Sequence, residues 1–169
     1  MKLITTKVFF IVHEFLFNLI RRILFCFCLT LSFVATADSN ALPKTESLRL
    51  SLANALESGK PLVVMVSLEG CPYCHIARQN YLSPLHREQG LHVVQLDMGS
   101  IQPIENFDGN KLTQSFLIKK WGVQVAPTLI FFGAGGTEVA PRMVGGYIPD
   151  FYGAYLDDRL LQALKAIRP

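Results

Sequence analysis

The sequence predicts an α/β domain, and three observations carry that expectation. The apolar run Leu62-Val63-Val64-Met65-Val66 is short and continuous, the pattern of a strand buried on both faces. Cys71-Pro72-Tyr73-Cys74 follows it directly and opens a helix-like segment. Further along, Val125-Ala126-Pro127-Thr128 leads into a second buried run, Leu129-Ile130-Phe131-Phe132.

The elements follow in order. Residues 1–37 read as a signal peptide, or alternatively as an uncleaved membrane anchor. Lys2, Lys7, Arg21 and Arg22 precede the apolar stretch Ile23 to Val34, and Ala35-Thr36-Ala37 is a small-x-small cleavage pattern. An earlier apolar stretch, Val8 to Ile20, makes this leader long, so the working leader is expected to begin near Leu16 or Leu19. The run after Arg22 is shorter than the roughly 20 apolar residues that span a bilayer. Residues 38–44 read as a polar tether and 45–169 as the folded domain.

From Thr45, apolar residues Leu48, Leu52, Ala55 and Leu56 recur at helical spacing until Gly59. Pro61 opens the first strand. The helix entered at the cysteines continues through Ile76, Ala77, Tyr81 and Leu82, with Pro84 as its kink or end. Val93, Val94 and Leu96 form a strand within Leu91 to Met98. Between Met98 and Lys111, residues Gly99, Pro103, Asp108, Gly109 and Asn110 mark a loop, read as a solvated insertion in preference to a partner-binding rim. A helix is expected from Leu112 to Trp121, with Phe116, Leu117 and Trp121 in the core. Gly133-Ala134-Gly135-Gly136 signals a hairpin between Leu129–Phe132 and Glu138–Val144, closed by Gly145-Gly146. Pro149 opens a last amphipathic helix through Phe151, Tyr155, Leu160, Leu164 and Ile167.

The overall formal charge of +3 belongs to the leader. Without residues 1–37, twelve basic residues face twelve acidic ones, so charge gives no reason to expect a nucleic-acid partner. Cys26 and Cys28 fall in the leader, which leaves Cys71 and Cys74 to the folded chain. A disulfide closing so short a loop removes little unfolded-state entropy, so a redox role is a better explanation than a staple. Pro72 suits the first position of a helix, and the helix terminus favours the thiolate of Cys71.

Strand, Cys-x-x-Cys, helix, strand, then a proline opening a third strand is an order that resembles the thioredoxin-like superfamily from Thr45 to Pro169. The resemblance implies a central mixed β-sheet flanked by helices. It also implies a cis Pro127 packed against the cysteines, with Cys71 as attacking and Cys74 as resolving thiol. The backbone of Ala126 would pair with an extended substrate segment, and Gly145 and Gly146 match a glycine beside the same groove.

The implied protein is an exported or periplasmic thiol–disulfide oxidoreductase. It would work as a monomer without a bound cofactor, acting on protein thiols and disulfides, with a membrane thiol reductase as a plausible electron partner. Contact with the membrane is expected only through an uncleaved leader. Among its relatives the chain looks most like exported proteins of cytochrome c maturation or sulfur oxidation, which favours a reductase, with an oxidase or isomerase as the alternative.

Two departures from thioredoxin itself stand out. Met65 occupies the position of a buried aspartate that assists proton transfer, and Gly70 replaces the tryptophan before the first cysteine. Glu69, Pro72, Tyr73 and His75 are candidates for tuning the thiols. Cys71-Pro72-Tyr73-Cys74-His75 also spells a c-type haem attachment motif, with His75 as proximal ligand and Met98 or Met143 distal. A metal or copper module would use both thiols and His75, which is three ligands where structural zinc takes four. His86 and His92 are distant in sequence.

Overall fold

The computed structural model describes residues 16–18, 21, 41–146 and 149–168. The chain divides into two units, Met1–Ser39 and Asn40–Pro169. In the first, residues 16–18 and 21 are helical and exposed. The apolar stretch 23–34, its two cysteines and the cleavage site expected after Ala37 lie outside the described residues. Among the described residues no helix is long and apolar enough to cross a membrane.

Strand β1 (Leu62–Ser67) is buried along its whole length. Its alternation sends Val63 and Met65 into one core, and Leu62, Val64 and Val66 into another. Strands β2 (Val93–Asp97), β5 (Thr128–Phe132) and β6 (Glu138–Val144) complete a four-stranded sheet in the order β2-β1-β5-β6. The β1–β2 pair is parallel, and the β1–β5 and β5–β6 pairs are antiparallel. The sheet is therefore mixed, as expected.

Helix α1 (Leu48–Glu57) begins at Ser47, whose side chain accepts from the Leu50 N–H at 3.1 Å. It shares one core with α4 (Gln114–Lys120), through Leu48, Leu52 and Ala55 from the first and Leu117 and Ile118 from the second. The other core takes Cys74 and Ala77 of α2 (Pro72–Ala77) with Tyr152, Leu156 and Ala163 of α5 (Pro149–Ile167).

Parallel pairing of β1 and β2 requires a crossover, and the helical run after the cysteines supplies it. Pro84 does not end that run. A π-helical turn, Arg78–Leu82, separates α2 from α3 (Ser83–Gln89), and the Ser83 N–H donates to the Arg78 carbonyl. The wide turn puts Pro84 in the first turn of α3, a position that proline tolerates. Gly90 then caps α3 in the left-handed conformation at φ 63°.

The segment expected to be a solvated loop is instead a hairpin, β3 (Pro103–Glu105) with β4 (Lys111–Thr113). Its turn is built by Asn106, whose Oδ1 accepts from the Asp108 N–H at 3.1 Å and the Asn110 N–H at 2.7 Å. Ile104 is buried, and Phe107 lies against Phe132 and Trp121 at centroid distances of 4.6 and 6.3 Å. Leu112 and Thr113 belong to β4, with the Thr113 side chain capping α4.

Three further expectations are corrected. Residues 41–44 are not a free tether, because Leu42 is buried and the Gln95 N–H donates to the Pro43 carbonyl at 3.1 Å. This contact covers backbone on the outer side of β2, which would otherwise be an open edge. Phe116 is exposed, whereas Leu117 is buried and Trp121 half-buried. In α5 the buried stripe is Tyr152, Leu156 and Ala163, with Phe151 and Tyr155 on the outside.

Candidate active site

The C-terminal end of β1 delivers the cysteines. Gly70 stands at φ 71°, a left-handed conformation that glycine adopts without strain and tryptophan does not. This turn accounts for the departure noted at that position. Cys71 is the N-cap of α2, and its Sγ accepts from the Cys74 N–H at 3.0 Å. The two cysteines form a disulfide with Cα atoms 5.3 Å apart. They are not equivalent: Cys71 is half-buried, while Cys74 is 0% exposed.

The Ala126–Pro127 bond is cis, and the Ala126 carbonyl oxygen lies 3.8 Å from Cys71 Sγ. Thr128 Oγ1 donates to the Val125 carbonyl at 2.7 Å, and the Gly145 N–H donates to the Pro127 carbonyl at 2.8 Å. A Cβ placed on Gly146 would lie 3.2 Å from Tyr73 Cβ and 3.3 Å from Pro127 Cγ. Cys71, Tyr73, Ala126, Pro127, Gly145 and Gly146 thus come together at one end of the sheet.

Beside Cys71, on the β2 side, a cleft of about 510 Å³ is lined by Ser67, Glu69, His75, Arg78, Gln95 and Asp97 among others. Glu69 and His75 are exposed there, and Met65 is wholly buried in the core that also holds Cys74. No ionisable side chain therefore stands at position 65.

The two methionines considered as distal haem ligands sit apart. Met98 packs against one core and Met143 against the other, on opposite faces of the sheet. His86 and His92 sit near Lys60 at the far end of β1, where the Val63 N–H donates to the His92 carbonyl. Burial, with Lys60 and His86 nearby, holds the His92 imidazole below its usual range. Among the described residues no group of three or more His, Cys, Asp or Glu is placed to hold a metal ion.

Sequence reasoning missed the Arg78–Gln95–Ser67 contacts in the cleft. It also missed the Tyr81–Tyr152 pair, whose ring centroids are 4.9 Å apart. Tyr152 has a buried hydroxyl without a partner, and burial followed by the neighbouring Tyr81 raises its pKa well above the usual phenol range.

The profile of the thioredoxin-like domain matches residues 48–160, and the chain belongs to that family. With its Cys71–Cys74 pair it is a thiol–disulfide oxidoreductase of this class. The fold is similar to that of a poplar thioredoxin h mutant, at 18% identity and a TM-score of 0.50, over 71% of this chain and 78% of that one. Mitochondrial thioredoxin 3 of Saccharomyces cerevisiae matches at 17% identity and a TM-score of 0.49, over 74% and 98% of the two chains. The periplasmic thioredoxin SoxS of Paracoccus pantotrophus matches at 20% identity and a TM-score of 0.42, over 62% and 99%. A search of curated proteins finds no match.

Proposed function

We propose that this protein is an exported thiol–disulfide reductase in which Cys71 attacks and Cys74 resolves. The observation that carries the assignment is the asymmetry of the pair: Cys71 is within reach of solvent, while Cys74 is 0% exposed. The Cys71 thiolate attacks one sulfur of a partner's disulfide. A Cys71–partner bond forms, and the other partner sulfur leaves as a thiolate that takes a proton from water. Cys74 then gives up its proton and attacks Cys71 Sγ. The intermolecular bond breaks, and two electrons have passed to the partner. The Cys74 N–H, 3.0 Å from Cys71 Sγ, is a donor suited to a thiolate at that atom.

The partner segment lies along Ala126, Pro127 and Gly145, with Tyr73 beside it. Exposed Leu68, Tyr73, Val125 and Val144 around this end of the sheet support docking of a polypeptide in preference to a small polar molecule. Electrons return from another dithiol protein, a membrane thiol reductase by this reading, and the folded unit acts as a monomer. The leader read in residues 1–37 supports export to the periplasm or an equivalent compartment. Glu69 and His75, exposed beside the pair, adjust its acidity.

Equilibration of Cys71–Cys74 against glutathione or dithiothreitol tests the direction. A reductase lies nearer the thioredoxin potential of roughly −270 mV than the strong-oxidant value of roughly −120 mV. A value at the oxidant end, or mostly oxidised protein recovered from the exported compartment, replaces reductase with oxidase.

A further inference from the structure

The cleft beside Cys71 holds a cation clamped between two strands. Arg78 follows α2 as the first residue of the π-helical turn, and its Nε donates to Gln95 Oε1 at 2.8 Å while Nη2 reaches Ser67 Oγ at 3.4 Å. Gln95 is on β2, and Ser67, only 1% exposed, is the last residue of β1. Both contacts go to neutral side chains, so they orient the guanidinium without neutralising it. The same cleft is lined by Cys71. An always-charged, oriented group near a half-buried sulfur acts through a lower effective dielectric than a freely solvated one.

We infer that Arg78 is a positioning residue that favours the Cys71 thiolate and thereby sets the redox equilibrium of the Cys71–Cys74 pair. The inference rests on Cys71 being the attacking thiol. The other charges of the cleft are Glu69 on the loop before the cysteines, His75 on α2 and Asp97 at the end of β2. Glu69 and His75 are exposed, so solvent weakens their effect on the pair relative to that of Arg78, and half-buried Asp97 opposes Arg78. With Met65 at the position beneath the pair, no carboxylate there counters the guanidinium.

The test is the pH dependence of Cys71 alkylation by iodoacetamide in the reduced protein, together with its equilibrium with glutathione. Arg78→Gln moves the alkylation midpoint to higher pH and shifts the equilibrium toward the disulfide by about three- to tenfold. Tenfold corresponds to about 30 mV for this two-electron couple. Arg78→Lys restores most of both readouts, because the charge and not the shape of the fork carries the effect. Gln95→Glu leaves Arg78 in place but neutralises it, and moves both readouts in the same direction as Arg78→Gln. It therefore decides the matter even if Arg78→Gln folds poorly.

Unchanged midpoints and equilibria in Arg78→Gln and Gln95→Glu overturn the inference, and so does a failure of Arg78→Lys to restore either readout. If instead wild-type alkylation persists in Cys71→Ser, the assignment of the attacking thiol itself has failed.

Discussion

In the hairpin Pro103–Thr113, Ile104 is 1% exposed and Phe107 lies against Phe132 and Trp121. Around the disulfide, by contrast, Leu68, Tyr73, Val125 and Val144 remain 48, 49, 47 and 57% exposed. Fully burying a side chain of the Leu or Val type is worth about 1.5–3 kcal/mol, so leaving three such groups and Tyr73 about half exposed forgoes part of that at this end of the sheet. The hairpin buries Ile104 and packs Phe107, although Ile101 just before it stays 79% exposed. Under the proposed function the apolar surface around Cys71 is kept for a partner, while the hairpin adds Ile104 and Phe107 to the core shared by α1 and α4.

The largest expected effect breaks one side of this contrast. Cys71→Ser abolishes disulfide exchange, measured as insulin reduction, while the denaturant midpoint of the reduced protein barely moves. Cys74→Ser instead accumulates mixed disulfides, seen as adducts on non-reducing gels. Residual turnover in Cys71→Ser, or adducts formed only through Cys74, would reverse the roles of the two thiols.

Phe107→Ala should do the opposite. Loss of a ring packed between Phe132 and Trp121 costs about 3 kcal/mol of unfolding free energy. Exchange per folded molecule stays at the wild-type rate. A fall in kcat/KM at full folding would show that the hairpin contributes to the site and would dissolve the contrast. A smaller change probes the groove itself: in Gly146→Ala the new Cβ crowds Tyr73 and Pro127 at 3.2 and 3.3 Å. We expect about a tenfold loss of kcat/KM for a protein disulfide, equivalent to about 1.4 kcal/mol. Stability and reduction potential remain close to wild type, and a loss confined to stability would remove Gly146 from the groove.

Much of the site end was legible because its signals are local. Cys71 and Cys74 announce themselves by spacing and β1 by an apolar run with no polar interruption, while Pro127 stands out only through the thioredoxin-like order in which it opens a strand. The hairpin was not, because strands of three residues are shorter than any periodicity can register, and Asp108-Gly109-Asn110 marks a turn without saying what flanks it. In α5 two apolar stripes overlap at helical spacing, Phe151–Tyr155 and Tyr152–Leu156, and only packing against Tyr81 and β6 selects the second. Leu42 was hidden as a single apolar residue in a polar stretch, since the vacancy it fills beside β2 is a tertiary feature. Arg78 and Gln95 were illegible for the same reason: one lies on a helix, the other on a strand, and no local pattern links them.

The smallest effect lies at the hairpin's outer edge. The Arg49 guanidinium meets Glu105 with Nη2 2.8 Å from Oε1, and the Glu105 N–H donates to the Glu46 carbonyl at 2.8 Å, so this pair ties β3 to the start of α1. A hydrogen bond from Ser47, then the bond from Arg49, holds the Glu105 carboxyl below its ordinary pKa. A carboxylate whose pKa is lower in the folded state adds stability above its unfolded-state pKa and loses it as pH falls through the folded-state value. Glu105→Gln should therefore be slightly less stable than wild type at neutral pH, and the difference should close on acidification below the carboxylate range. Arg49 is 65% exposed, so the gap stays small and shrinks further in high salt. Denaturant midpoints of the two proteins across an acid-to-neutral series measure it. A gap that persists unchanged in acid would mean that the β3–α1 junction is held by the Glu105–Glu46 backbone bond and neutral packing, with no contribution from the charge.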